Sequence, residues 1–204
     1  MYDVVMMKND LEEAVGVVSR RIQDEFLSAF KHIYPDDQVP SDCSALNGML
    51  ESIQVSQRAD ISAVSRRSGF YIILTDYPVD ENSCQLAAGG LRAVYGGECS
   101  EVRLRIMSHL ANSAYRLHLE QLANRYLQDP KNAGKVFYKD IWPHCMKLEK
   151  GGRSGIDVEV PPYSDHQWLV LVHSMVGSSQ GVRKIAEAAF DEAFGHPAAS
   201  RDGG

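Results

Sequence analysis

The chain has 204 residues, 44% of them hydrophobic and 24% charged, with a formal net charge of −6. That length suits one substantial domain, or a domain with a helical extension, and the acidic total excludes binding of nucleic acid through bulk charge while leaving room for a local basic face. No apolar run reaches the ~20 residues of a membrane span, the opening MYDVVMMKNDLEEAV lacks the basic region and apolar stretch of a secretory signal, and Cys43, Cys84, Cys99 and Cys145 have no C-x-x-C or zinc-finger spacing, so free thiols in a reducing cytoplasm are expected.

Residues 9–33 read as an amphipathic helix. Leu11, Val15, Val18, Ile22, Phe26, Phe30 and Ile33 recur at helical spacing, Asn9 or Asp10 can cap the start, and Pro35 lies just past the end. PDDQVPSDCS is a loop. Residues 43–58, CSALNGMLESIQVSQR, read as a second, weaker helix. From residue 68 the pattern changes. GFYIILTD is aromatic and β-branched between a glycine and Asp76, which predicts a strand. A polar, glycine-bearing connection leads to LRAVYGG, a second strand. They are joined without a helix, so they are expected to be antiparallel. Residues 99–127 read as one helix or two in sequence, closed by Asp129-Pro130; residues 131–150 are ambiguous. A buried strand is centred on Trp168 to His173, and residues 180–194 form a helix that ends at Gly195 with Pro197 beyond. The tail AASRDGG is expected to fray.

These elements predict an α+β fold: a small three-stranded, mainly antiparallel sheet flanked by helices, with residues 1–67 as an N-terminal helical extension, 68–197 as the main domain and 198–204 as a frayed tail.

GFY at 69–71 and YGG at 95–97 resemble the paired signatures of the GIY-YIG nuclease superfamily. Spacing carries the resemblance further. An arginine, Arg105, follows Tyr95 by ten residues, and His109 lies one helical turn beyond it. EAAFDEAFGHP at 187–197 looks like the family's late helix and places Glu187 at its metal-binding carboxylate. The 24-residue gap between Tyr71 and Tyr95 implies an insertion between the first two strands; YGG carries glycine where a β-branched residue is usual; the asparagine that often follows the last helix has at most Ser200 as its counterpart.

The resemblance implies a metal-dependent endonuclease that hydrolyses phosphodiester bonds in DNA, double-stranded DNA above all, by tyrosine-assisted attack of water. Tyr71 is then the general base, Tyr95 orients water or phosphate, Arg105 neutralises the phosphate, His109 binds phosphate or shares proton transfer, and Glu187 holds one Mg²⁺ or Mn²⁺. The residue types suit the task. A guanidinium offers paired donors and stays charged; Mg²⁺ keeps several waters and needs few protein ligands; a tyrosine with an ordinary pKa near ~10 serves as base only where positive charge lowers it. A restriction or defence role fits a small standalone nuclease, and two nicks on opposite strands make a homodimer natural. The alternative is a catalytically inactive nuclease-like module that binds nucleic acid or a protein partner. Cys99 invites a nucleophile reading, but no histidine and acid stand in a known arrangement with it. KLEKGGRSG at 147–155 is a basic, glycine-rich loop suited to a nucleic-acid backbone.

Overall fold

A computed structural model describes residues 2–41, 50–135, 145, 146, 148 and 155–200, with the side chains of 2–7 and 9 left aside. Its centre is the run GFYIILT. Strand β2 (Gly69–Thr75) is buried at every residue, as a β-branched and aromatic run covered on both faces must be. On one side it pairs with β4 (Leu91–Cys99) and on the other with β5 (Trp168–Ser174), both antiparallel.

The expected three-stranded sheet is corrected by two further strands. Strand β1 (Leu50–Gln54) pairs with β5, and β3 (Ala87–Ala88) pairs with β4, so the sheet has five antiparallel strands in the order β1-β5-β2-β4-β3. Both additions are edge strands with weak local signals. LESIQ falls within a segment read as helical, and its register against Val170 and Leu171 supplies the β conformation. Ala87–Ala88 lies in the insertion and folds back on β4 through Gly89 and Gly90, whose φ values of +54° and +98° suit a two-residue hairpin turn that glycine adopts without penalty.

Helix α1 (Tyr2–Ile33), α2 (Val102–Leu110), α3 (Asn112–Gln128) and α4 (Gln180–Phe194) flank the sheet. The segment expected as one or two helices is two, broken at Ala111, whose φ of −139° is not helical. Alternate residues of β2 feed two cores. Tyr71 and Ile73 join Val170, Val172, Val102, Ile106 and Leu110 beneath α2. Phe70, Ile72 and Leu74 join Phe30, Leu171, Ala189, Phe190 and Phe194 beneath α1 and α4.

Within residues 1–67, β1 joins the sheet and Phe30 and Tyr34 join the second core. The tail is pinned as far as Ser200: the Ala199 N–H donates to the Val94 carbonyl, and Ser200 Oγ accepts from the Gly96 N–H at 2.8 Å. Among the described residues no helix is long and apolar enough to cross a membrane.

Candidate functional site

Strand register brings the two signature tyrosines together. Tyr71 lies opposite Gly97, and Tyr95 opposite Ile73, so both rings stand on the α2 face as diagonal neighbours. Their centroids are 5.9 Å apart. Helix α2 starts directly after β4, and its four-residue spacing puts Arg105 and His109 on one side. The His109 ring centroid lies 4.4 Å from that of Tyr95, and its Nε2 is 2.7 Å from the Tyr71 hydroxyl. Arg105 hydrogen-bonds to Cys99 and interacts electrostatically with both tyrosines. Four residues singled out in the sequence, Tyr71, Tyr95, Arg105 and His109, therefore meet from three elements.

The Met146 N–H donates to His109 Nδ1 at 2.6 Å. That nitrogen must carry a lone pair, so a neutral ring bears its hydrogen on Nε2 and donates it to the Tyr71 oxygen. Tyr71 in turn donates to Tyr95. The polar chain thus runs from the Met146 backbone through His109 and Tyr71 to Tyr95. Gly97 makes room for it: a Cβ there would lie 2.9 Å from Tyr95 Cε1 and 3.1 Å from the Tyr71 hydroxyl. Gly96 faces the other way, toward Phe70 and Phe190, with space for ordinary contact. The Tyr-Gly-Gly sequence is explained at its second glycine.

Tyr71, Tyr95 and His109 are buried, and the cluster reaches solvent through the partly exposed Arg105 and Cys99. Burial drives the Tyr71 pKa well above the ordinary tyrosine value; Tyr95 adds to the effect and Arg105 opposes it. Burial also works to lower the Arg105 pKa, but Tyr71, Cys99 and Tyr95 outweigh it, and the guanidinium stays charged. The surroundings of Tyr71 therefore run against its expected role as a general base. As placed, it is a hydrogen-bond donor that keeps its proton.

Glu187 does not join the cluster. It lies on α4, which packs through Ala189, Phe190 and Phe194 against the opposite face of the sheet. Burial raises its pKa to about 7, with Asp191 and Glu98 adding to the shift. Glu98 also turns away from the tyrosines, accepting from Arg183 Nε at 2.9 Å and Gln180 at 3.1 Å. Asp191 is 2.7 Å from His196. With two of these three carboxylates already paired, and no group of three His, Cys, Asp or Glu side chains gathered among the described residues, the residues present do not fit a divalent ion shared with Arg105.

A second polar feature was not anticipated. Beside α2 and α3 lies a groove of about 400 Å³ lined by Leu104, Met107, Leu117 and Leu122 and by the polar side chains of Arg58, Arg66, Glu101, Arg103 and His118. Arg103 is held in place by donating from Nε to the Val64 carbonyl. The Arg-Arg pair at 66–67 was visible in the sequence; that Arg58, Arg66, Arg103 and His118 line one groove follows from the packing of α2 against both α3 and the turn at Arg58–Ala63. The basic loop at 147–155 lies almost wholly outside the described residues. Comparison of the chain with known protein families, with characterised proteins and with solved structures yields no match.

Proposed function

We propose that this chain acts on the phosphodiester backbone of nucleic acid as an endonuclease of the GIY-YIG type, with double-stranded DNA as substrate. The observation that carries the reading is the meeting of Tyr71, Tyr95, Arg105 and His109 at one point. A partly exposed, charged guanidinium beside two phenols and an imidazole suits an anionic, tetrahedral oxygen centre. Arg105 neutralises and orients the phosphate. Tyr95, held by the polar chain through Tyr71 and His109, orients the phosphate or the attacking water. Tyr71 acts by donation, so the attacking water gives its proton to a non-bridging oxygen of the phosphate, from which it passes to the leaving oxygen as the P–O bond breaks. A restriction or defence setting belongs to the same proposal; a need for Mg²⁺ or Mn²⁺ would call for ligands other than Glu187, and no step here is routed through the metal.

The position of Glu187 on the opposite face, with the retained proton of Tyr71, favours a second reading: a module that binds nucleic acid without cutting it. One experiment separates them. Supercoiled plasmid is incubated with the protein and Mg²⁺ or Mn²⁺, beside Glu187→Ala. Nicked or linear product from the wild type establishes the nuclease, and its loss or survival in Glu187→Ala tells whether that carboxylate takes part. Salt-dependent binding without product selects the second reading. Neither binding nor product on DNA or RNA sinks both.

Arg58 and Arg66 in the groove add a quantitative expectation. If the groove follows a nucleic-acid backbone, the double variant Arg58→Ala/Arg66→Ala flattens the slope of log K against log salt by about 2, near one per lost phosphate contact. Fluorescence anisotropy over a salt series measures it. An unchanged slope removes the groove from the interface.

A further inference from the structure

Helix α1 is buried along only part of its length. Its C-terminal half packs on the body through Phe26 and Phe30, and Gln23 donates to Glu192 on α4 at 2.7 Å. The same stripe continues toward the N-terminus as Leu11, Val15 and Val18, which are 66%, 64% and 57% exposed, and Val17 widens it at 65%. The run Val15-Gly16-Val17-Val18 is poor helix-forming sequence, since β-branched residues lose side-chain freedom in a helix and glycine loses backbone freedom. A helical segment of this composition gets its stability from burial of its apolar face, and among the described residues Leu11, Val15, Val17 and Val18 lie open to solvent.

We infer that this segment of α1 pairs antiparallel with the same segment of a second copy. The stripe is self-complementary about its midpoint. With the helices antiparallel and crossing between residues 16 and 17, Val15 of each chain meets Val18 of the other, and Leu11 meets Ile22. Charge sets the direction. Glu12 and Glu13 precede the crossing and Arg20 and Arg21 follow it, so antiparallel pairing lays the acidic stretch of each chain along the basic stretch of the other. Parallel pairing sets like against like. The occupant of the stripe is thus a second copy of this chain. The inference stands independently of the nuclease reading, although paired chains would also supply two sites for two strands.

Sedimentation of the full chain over a wide concentration range tests it. The wild type is expected to dimerise, and Val15→Glu/Val18→Glu to stay monomeric while keeping the near-ultraviolet circular dichroism of the folded body, because both positions are exposed in the monomer. Glu12→Arg/Glu13→Arg is expected to weaken the dimer, and adding Arg20→Glu/Arg21→Glu to restore it. A wild type that stays monomeric throughout overturns the proposal, since a different partner then covers the stripe. A dimer indifferent to Val15→Glu/Val18→Glu overturns it as well, by placing the interface elsewhere. Failure of the second charge swap to restore association rules out the antiparallel arrangement.

Discussion

An Arg105→Ala variant is expected to lose about 10²- to 10³-fold in the rate of phosphodiester cleavage, the usual effect of removing one preorganised donor from a developing oxyanion. Arg105 is the charged group of the Tyr71–Tyr95–His109 cluster and, with Cys99, the part of it that reaches solvent, so its removal takes away the positive charge that the proposal sets against the phosphate. Arg105→Lys is expected to recover little, because an ammonium lacks the planar pair of donors. Initial rates on labelled duplex, with circular dichroism as a control for folding, measure both. If cleavage proceeds in Arg105→Ala at the wild-type rate, the cluster is not the active site. If the wild type binds duplex without cutting, the same substitution is expected to weaken binding, and the prediction transfers to the dissociation constant.

The second large effect is on stability, and it comes from His173. Its ring lies among Phe30, Phe70 and Tyr34, and Nε2 is 2.6 Å from the Tyr34 hydroxyl. Burial lowers its pKa from 6.5 to about 4. Between those values the unfolded chain binds a proton that the folded chain refuses. Stability therefore rises with pH across that window and is lost as pH falls from 6.5 toward 4. The shift corresponds to about 2–3 kcal/mol once allowance is made for partial solvent access. Urea unfolding at a series of pH values is expected to show this fall, and His173→Gln, which does not titrate, is expected to flatten it. An equal slope in the variant assigns the acid sensitivity to other groups. The direction is opposite for Glu187: its raised pKa makes the folded state the better proton binder, so its contribution to stability falls as pH rises from 4.5 to about 7.

His173 also shows where sequence reading stops. A place at the end of a strand does not by itself fix the face a side chain takes; pairing with Phe70 turns His173 to the α1 side, away from the tyrosines. Strands β2, β4 and β5 and helices α1, α2, α3 and α4 were legible because each carries its own signal, an unbroken apolar run, a helical stripe or a glycine stop. The juxtaposition of Arg105 with His109 was legible for the same reason, since four residues on a helix define one face whatever lies around it.

The rest depended on partners distant in the chain. LESIQ becomes a strand because β5 offers it an edge, and its own residues do not demand that conformation. Glu187 matches a motif in spacing, but the face of the sheet that α4 covers is set by Ala189, Phe190 and Phe194 finding Phe70 and Phe30. Tyr71 carries the identity of a candidate base, yet its protonation is decided by how completely the surrounding core excludes water. Composition, periodicity and spacing are local properties, and they determined the helices, the three inner strands and the tyrosine–arginine–histidine pattern. Strand register, the face a helix covers and the polarity around a buried group arise only when distant segments pack, and they decided what that pattern can do.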